Sequence, residues 1–146
     1  MKKLVFALLL LFPALIMNAQ ETTYQGVIEK FFSIYKNDGP EKAIDYIFST
    51  NPYLEPNSEQ VTAIKLKLAT AVAVIGDYYG FDPVSVKELG PSMTVGTYMV
   101  RYKRQPLFFT FILYKPDKLW QIQTLRFDDK IEALQMNDFE NKAATK

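Results

Sequence analysis

The chain of 146 residues contains no cysteine and no histidine. Without thiols, disulfides, iron–sulfur clusters, thiolate zinc sites and cysteine nucleophiles are all excluded. Without imidazole, the chain lacks the usual general base near neutral pH and the commonest metal ligand. No stretch fits G-x-G-x-x-G or a P-loop, which rules out nucleotide binding by those devices. The carboxylates lack the spacing of a calcium loop, and no serine–lysine pair at a recognisable spacing replaces the missing triad base. No metal and no cofactor are therefore expected. What remains is ordinary for a globular chain, 49% apolar and 23% charged, and long enough for one domain with a core of its own.

The first residues differ from the rest. Lys2 and Lys3 precede an uncharged run from Leu4 to Met17, followed by Asn18-Ala19-Gln20. A basic head, a short apolar middle and a small residue at the break describe a secretory signal over residues 1–19, cleaved after Ala19. The run is too short for a membrane span of about 20 residues, so no stable membrane insertion is expected after cleavage. The expected locale is the bacterial periplasm or the medium. Cleavage removes Lys2 and Lys3 from the 17 basic residues, leaving 15 against 16 acidic and a net charge of −1. A near-neutral chain has no general attraction to nucleic acid, and none is expected as a partner.

Residues 20–136 read as a single domain, and residues 137–146 as a polar, loose tail. Its first half has helical spacing. Thr22 or Thr23 can cap a segment in which Tyr24, Val27, Ile28, Phe31 and Tyr35 recur on one side. Pro40 opens a short second helix with Ala43, Ile44, Ile47 and Phe48 on one face. Asn57 or Ser58 caps a long third helix, whose stripe of Val61, Ile64, Leu68, Val72 and Ile75 runs towards Tyr79. Gly80 and Pro83 are expected to stop it.

The second half reads as strands over Val84–Leu89, Met93–Lys103, Leu107–Tyr114 and Leu119–Phe127, punctuated by Gly90-Pro91, Gln105-Pro106 and Pro116-Asp117. Short turns make these neighbours antiparallel. A four-residue loop over Lys115–Lys118 pairs Leu113 with Trp120 and Phe111 with Ile122. A similar turn at Arg104-Gln105 pairs Val100 with Phe109 and Tyr98 with Phe111. One face then collects Tyr98, Val100, Tyr102, Leu107, Phe109, Phe111, Leu113, Trp120 and Ile122, and is the core face. The other carries Val95, Thr97, Met99, Arg101, Phe108, Thr110, Ile112, Tyr114, Gln121, Gln123 and Leu125, too apolar for plain solvent and too polar for a core. Met99, Phe108, Ile112, Tyr114 and Leu125 are expected to make a homodimer across this outer sheet face. The rival cover is the tail, Ile131 to Met136, folding back over it.

Three helices followed by an antiparallel sheet, in the order read from Thr22 to Phe127, resembles the nuclear-transport-factor-2-like fold, whose superfamily includes the ketosteroid isomerases. The stretches "GDYYG", "KELG", "YKRQP" and "LYKPDKLWQI" also look like small exported bacterial proteins of that fold. The resemblance implies an α+β domain: three N-terminal helices on a curved antiparallel sheet of about four strands, enclosing a conical pocket. It further implies that the outer sheet face pairs two copies.

Isomerases of this fold use an aspartate base with an acidic or phenolic donor for the oxyanion. Of the carboxylates here, Asp77 in "GDYYG" is the best placed, yet a solvated helix end explains it better, and no residue is taken as catalytic. "RYKRQP" concentrates positive charge beside Tyr98, Tyr102 and Phe108. Charges at a strand end usually form a solvated rim or an edge guard. Tyr79, Tyr98, Tyr102, Trp120 and Asp77 are the candidate pocket residues, because phenols converging on one end of a cone give an apolar site its polar handles. The function that fits best is a small exported, non-catalytic binding domain for an apolar ligand or partner. An isomerase or lyase using a carboxylate with tyrosine donors, or an interaction protein whose pocket is filled by side chains, are the alternatives.

Overall fold

The computed structural model describes residues 21–130. The signal read over residues 1–19, the rival cover at Ile131–Met136 and the tail at residues 137–146 lie outside them. Three helices, α1 (Tyr24–Asp38), α2 (Pro40–Ser49) and α3 (Glu59–Ile75), precede four strands, β1 (Tyr78–Glu88), β2 (Met93–Tyr102), β3 (Leu107–Tyr114) and β4 (Gln121–Asp128). The strands form one antiparallel sheet in sequence order, open at both ends. This is an α+β fold, compatible with the nuclear-transport-factor-2-like cone.

The helices start where side chains can satisfy free backbone N–H groups. Thr23 caps α1 by accepting from the Gly26 N–H at 3.1 Å. Ser58 caps α3 by accepting from Val61, and Pro40 stands at the first position of α2, where its missing N–H is harmless. The α1 stripe is buried as spaced from Val27 to Tyr35, with Phe32 added and Tyr24 half-buried, and the four apolar residues of α2 are buried together. The end of α3 differs from expectation. The helix stops at Gly76, whose φ of 90° suits a residue without Cβ, and Tyr78, Tyr79 and Gly80 already belong to β1. The spacing from Ile75 to Tyr79 imitates another helical turn, but the chain has turned by then. The first strand therefore begins well before Val84.

All nine residues assigned to the core face of the sheet are buried against the helices. The pairings are nevertheless shifted. Val100 pairs with Leu107, Tyr98 with Phe109 and Leu113 with Ile122, so the first hairpin connection is shorter and the second longer than expected, each by two residues. A shift of two residues preserves which face each side chain takes, which is why the core survives the error. An irregularity between Ile112 and Leu113 does change faces. Gln123 is the extra residue of a bulge, and beyond it Leu125 pairs with Phe111 and Phe127 with Phe109. Leu125 thus lies in the helix-side core and not on the outer face.

That core is largely rings. Phe31 packs edge-on to Phe32 and Phe111, with ring centres 5.1 Å apart in each pair, and Phe109 stacks on Phe127 at 5.6 Å. Each such side chain, taken fully out of water, stabilises the fold by about 1.5–3 kcal/mol.

Candidate functional site

Of the phenols expected to line a cone, Tyr102 instead finds its partner inside the core. Tyr102, at the end of β2, hydrogen-bonds through its hydroxyl to the Tyr35 hydroxyl of α1, and both rings are buried. Burial pushes Tyr35 up to about 12 and Tyr102 well above its ordinary value, the neighbouring phenol adding to the latter. Burial also raises Tyr98 to about 12, with its ring held between Phe32, Phe81 and Phe111. Such hydroxyls stay protonated across the physiological range and can donate but not act as bases. Trp120, just before β4, is buried edge-on against Tyr24 of α1, with the Lys115 ammonium 5.3 Å from its ring centre.

Open space lies elsewhere, in a groove of about 430 Å³ between α1 and the edge strand β1. Helix α1 contributes Glu29, Phe32, Ser33 and Lys36; the strand contributes Tyr78, Tyr79, Gly80 and Phe81; Arg101 reaches in from β2. Phe32 and Phe81 stack at 3.9 Å between ring centres and make an apolar wall. Tyr79 is 58% exposed at the rim. Glycine suits position 80 by its backbone conformation, and a side chain there would also push the arginine aside. Its φ of 137° is unfavourable for any residue with a Cβ, and a Cβ there would fall 2.6 Å from an Arg101 Nη. The bare backbone at Gly80 is what lets the arginine cross the strand and join the groove. Asp82 holds the same guanidinium by its Nε at 3.0 Å.

Of the five pocket residues expected from sequence, Tyr79 lines this groove. Tyr98, Tyr102 and Trp120 are core residues, and Asp77 is exposed in the link between α3 and β1, where its carbonyl accepts from the Lys103 N–H. Among the described residues, the hydrogen bond between a phenol and a carboxylate is that of Tyr24 with Glu88, 3.1 Å and exposed. No three acidic side chains converge as a metal site would require, again among the described residues. Lys36, Phe81 and Arg101 went unrecognised as site residues. The sequence marks their neighbourhood through "GDYYG" and "RYKRQP", but nothing in it places α1 beside β1.

On the outer face, Phe108 is buried, Met99 and Ile112 are half-buried and Tyr114 is exposed. No family model, curated protein or solved structure matches this chain.

Proposed function

We propose that this protein is a small exported binding domain of the nuclear-transport-factor-2-like kind, which takes its ligand in the groove between α1 and β1 instead of inside the cone. The observation that carries this reading is the contrast in filling: interior rings pack on one another and the Tyr35 and Tyr102 hydroxyls are paired, whereas the groove presents aromatic walls and charged groups to solvent. Its volume of about 430 Å³ falls in the range of small-molecule sites. Export rests on the basic head and uncharged run of residues 2–17; a recovered chain whose mass begins at Gln20 would support it, and a full-length cytoplasmic chain would not.

The isomerase alternative needs a carboxylate in reach of a buried phenol, and the exposed setting of Asp77 gives it no support. A neutral apolar reporter such as N-phenyl-1-naphthylamine tests the groove. Saturable fluorescence enhancement is expected with the wild type and with Tyr98→Phe and Tyr102→Phe. It should disappear in Ser33→Trp, which fills the groove from an exposed helix position. The reverse pattern, loss on the tyrosine changes and retention in Ser33→Trp, would place the ligand inside the cone.

A further inference from the structure

Building on the groove reading, we infer that its ligand is an aromatic monocarboxylate, with the carboxylate seated on the Arg101 guanidinium and the ring against Phe81 and Tyr79. Three observations converge on this. Asp82 meets Arg101 at Nε, 3.0 Å away, and no hydrogen bond from either terminal Nη is seen among the described residues. That fork is the part of arginine whose geometry matches a carboxylate through two parallel hydrogen bonds. The side chain is also held in place, fixed by Asp82 on one side and laid across the bare Gly80 backbone on the other.

The charge of the lining narrows the class. Lys36 and Arg101 line the groove with Glu29, and Asp82 pairs with the Arg101 Nε, so two cations stand with two anions and the set is balanced. A ligand on the Arg101 fork therefore adds its own charge to a balanced set, an addition that a monoanion keeps smaller than a dianion such as a phosphate monoester. A cationic ligand would have to displace Asp82 or sit beside the arginine. The apolar part of the ligand is set by the Phe32–Phe81 stack and by the exposed Tyr79 ring. Arg101 is half-exposed, its side chain 49% accessible, so water screens the seat and the affinity for a small acid should be modest.

Amide chemical shifts of the 15N-labelled protein, titrated with 3-phenylpropionate, 3-phenylpropan-1-ol and 3-phenylpropylammonium, test this. The acid should move the amides of Ser33, Lys36 and residues 79–81 saturably, and bind about tenfold more tightly than the alcohol, the usual scale for one charge-assisted contact. Arg101→Gln should abolish that preference, and Arg101→Lys should restore part of it, since charge returns without the fork. Position 101 is exposed, so an unchanged amide spectrum away from the groove will show that both variants fold. If acid and alcohol shift the same amides with equal affinity, the carboxylate assignment falls while the groove reading stands. If an acid preference persists in Arg101→Gln, the arginine is not its seat. If none of the three compounds moves the groove amides, both readings fall.

Discussion

The two edges of the sheet are finished in opposite ways. At β4, the main chain of Ile122 is held on both sides of its peptide: its N–H donates to the Thr50 hydroxyl at 3.0 Å, and its carbonyl accepts from the Asn51 amide at 2.8 Å. Both side chains are buried, and both come from the turn that ends α2. Trp120 closes the same region from the loop before the strand. At β1 no comparable clamp appears among the described residues. This edge exposes Tyr79, Val84 and Val86, and is interrupted by Pro83 and by irregular pairing at residues 78–80 and 83–85. Proline and bulges are the means by which an exposed edge avoids pairing with other chains. The closed edge is therefore where stability resides, and the guarded, open edge is free to be a binding surface.

Equilibrium denaturation tests that contrast with three substitutions. Trp120→Ala, on the closed side, should cost about 3–5 kcal/mol, the range for removing a large buried ring. Asn51→Ala should cost about 1–3 kcal/mol, because it strands the buried Ile122 carbonyl and the Tyr53 N–H that Asn51 Oδ1 accepts. Val86→Thr, on the open side, should change stability by no more than about 0.5 kcal/mol, as for most surface positions. A Val86→Thr loss as large as that of Asn51→Ala would mean that the open edge is structural after all.

The same contrast explains what was legible in the sequence. Helices and core face were readable because Val27, Phe31, Ile44 and Leu68, or Phe109, Phe111 and Leu113, repeat at the period of their own element. The end of α3 was not, because Gly76 and Gly80 lie four apart and Tyr79 continues the helical stripe from Ile75. The face of Leu125 was missed because strict alternation was carried past Gln123, where two successive polar residues, Gln123 and Thr124, mark the bulge that shifts the apolar parity from Ile122 to Leu125 and Phe127. The Ile122 clamp pairs residues some seventy positions apart in the chain, and the groove needs α1 to lie beside a strand far along it. Neither follows from local spacing. What the residues did show was a surplus of aromatics and a charged corner at Arg101, without the geometry that joins them.

The smallest effect expected concerns the outer face of the sheet, proposed as a weak homodimer surface. Register aligns three rows across the four strands: Asp82, Met99, Phe108 and Asp128; Ser85, Thr97, Thr110 and Arg126; Lys87, Val95, Ile112 and Thr124. Apolar side chains thus occupy the two central strands and polar ones the margins. The middle row is internally satisfied, with the Thr97 and Thr110 hydroxyls 3.1 Å apart. With Leu125 turned into the core, the apolar area is a narrow stripe, smaller than sequence alternation alone suggests. A small interface with charged margins favours transient pairing, with a dissociation constant on the order of tens of micromolar. Sedimentation at that concentration should detect dimer in the wild type. Ile112→Glu, placing a charge in the stripe at a half-buried position, should sediment as monomer with its fold intact. A wild type that remains monomeric there, or a glutamate variant that pairs equally well, would remove this face from consideration and leave the groove at β1 as the surface through which the domain meets its partners.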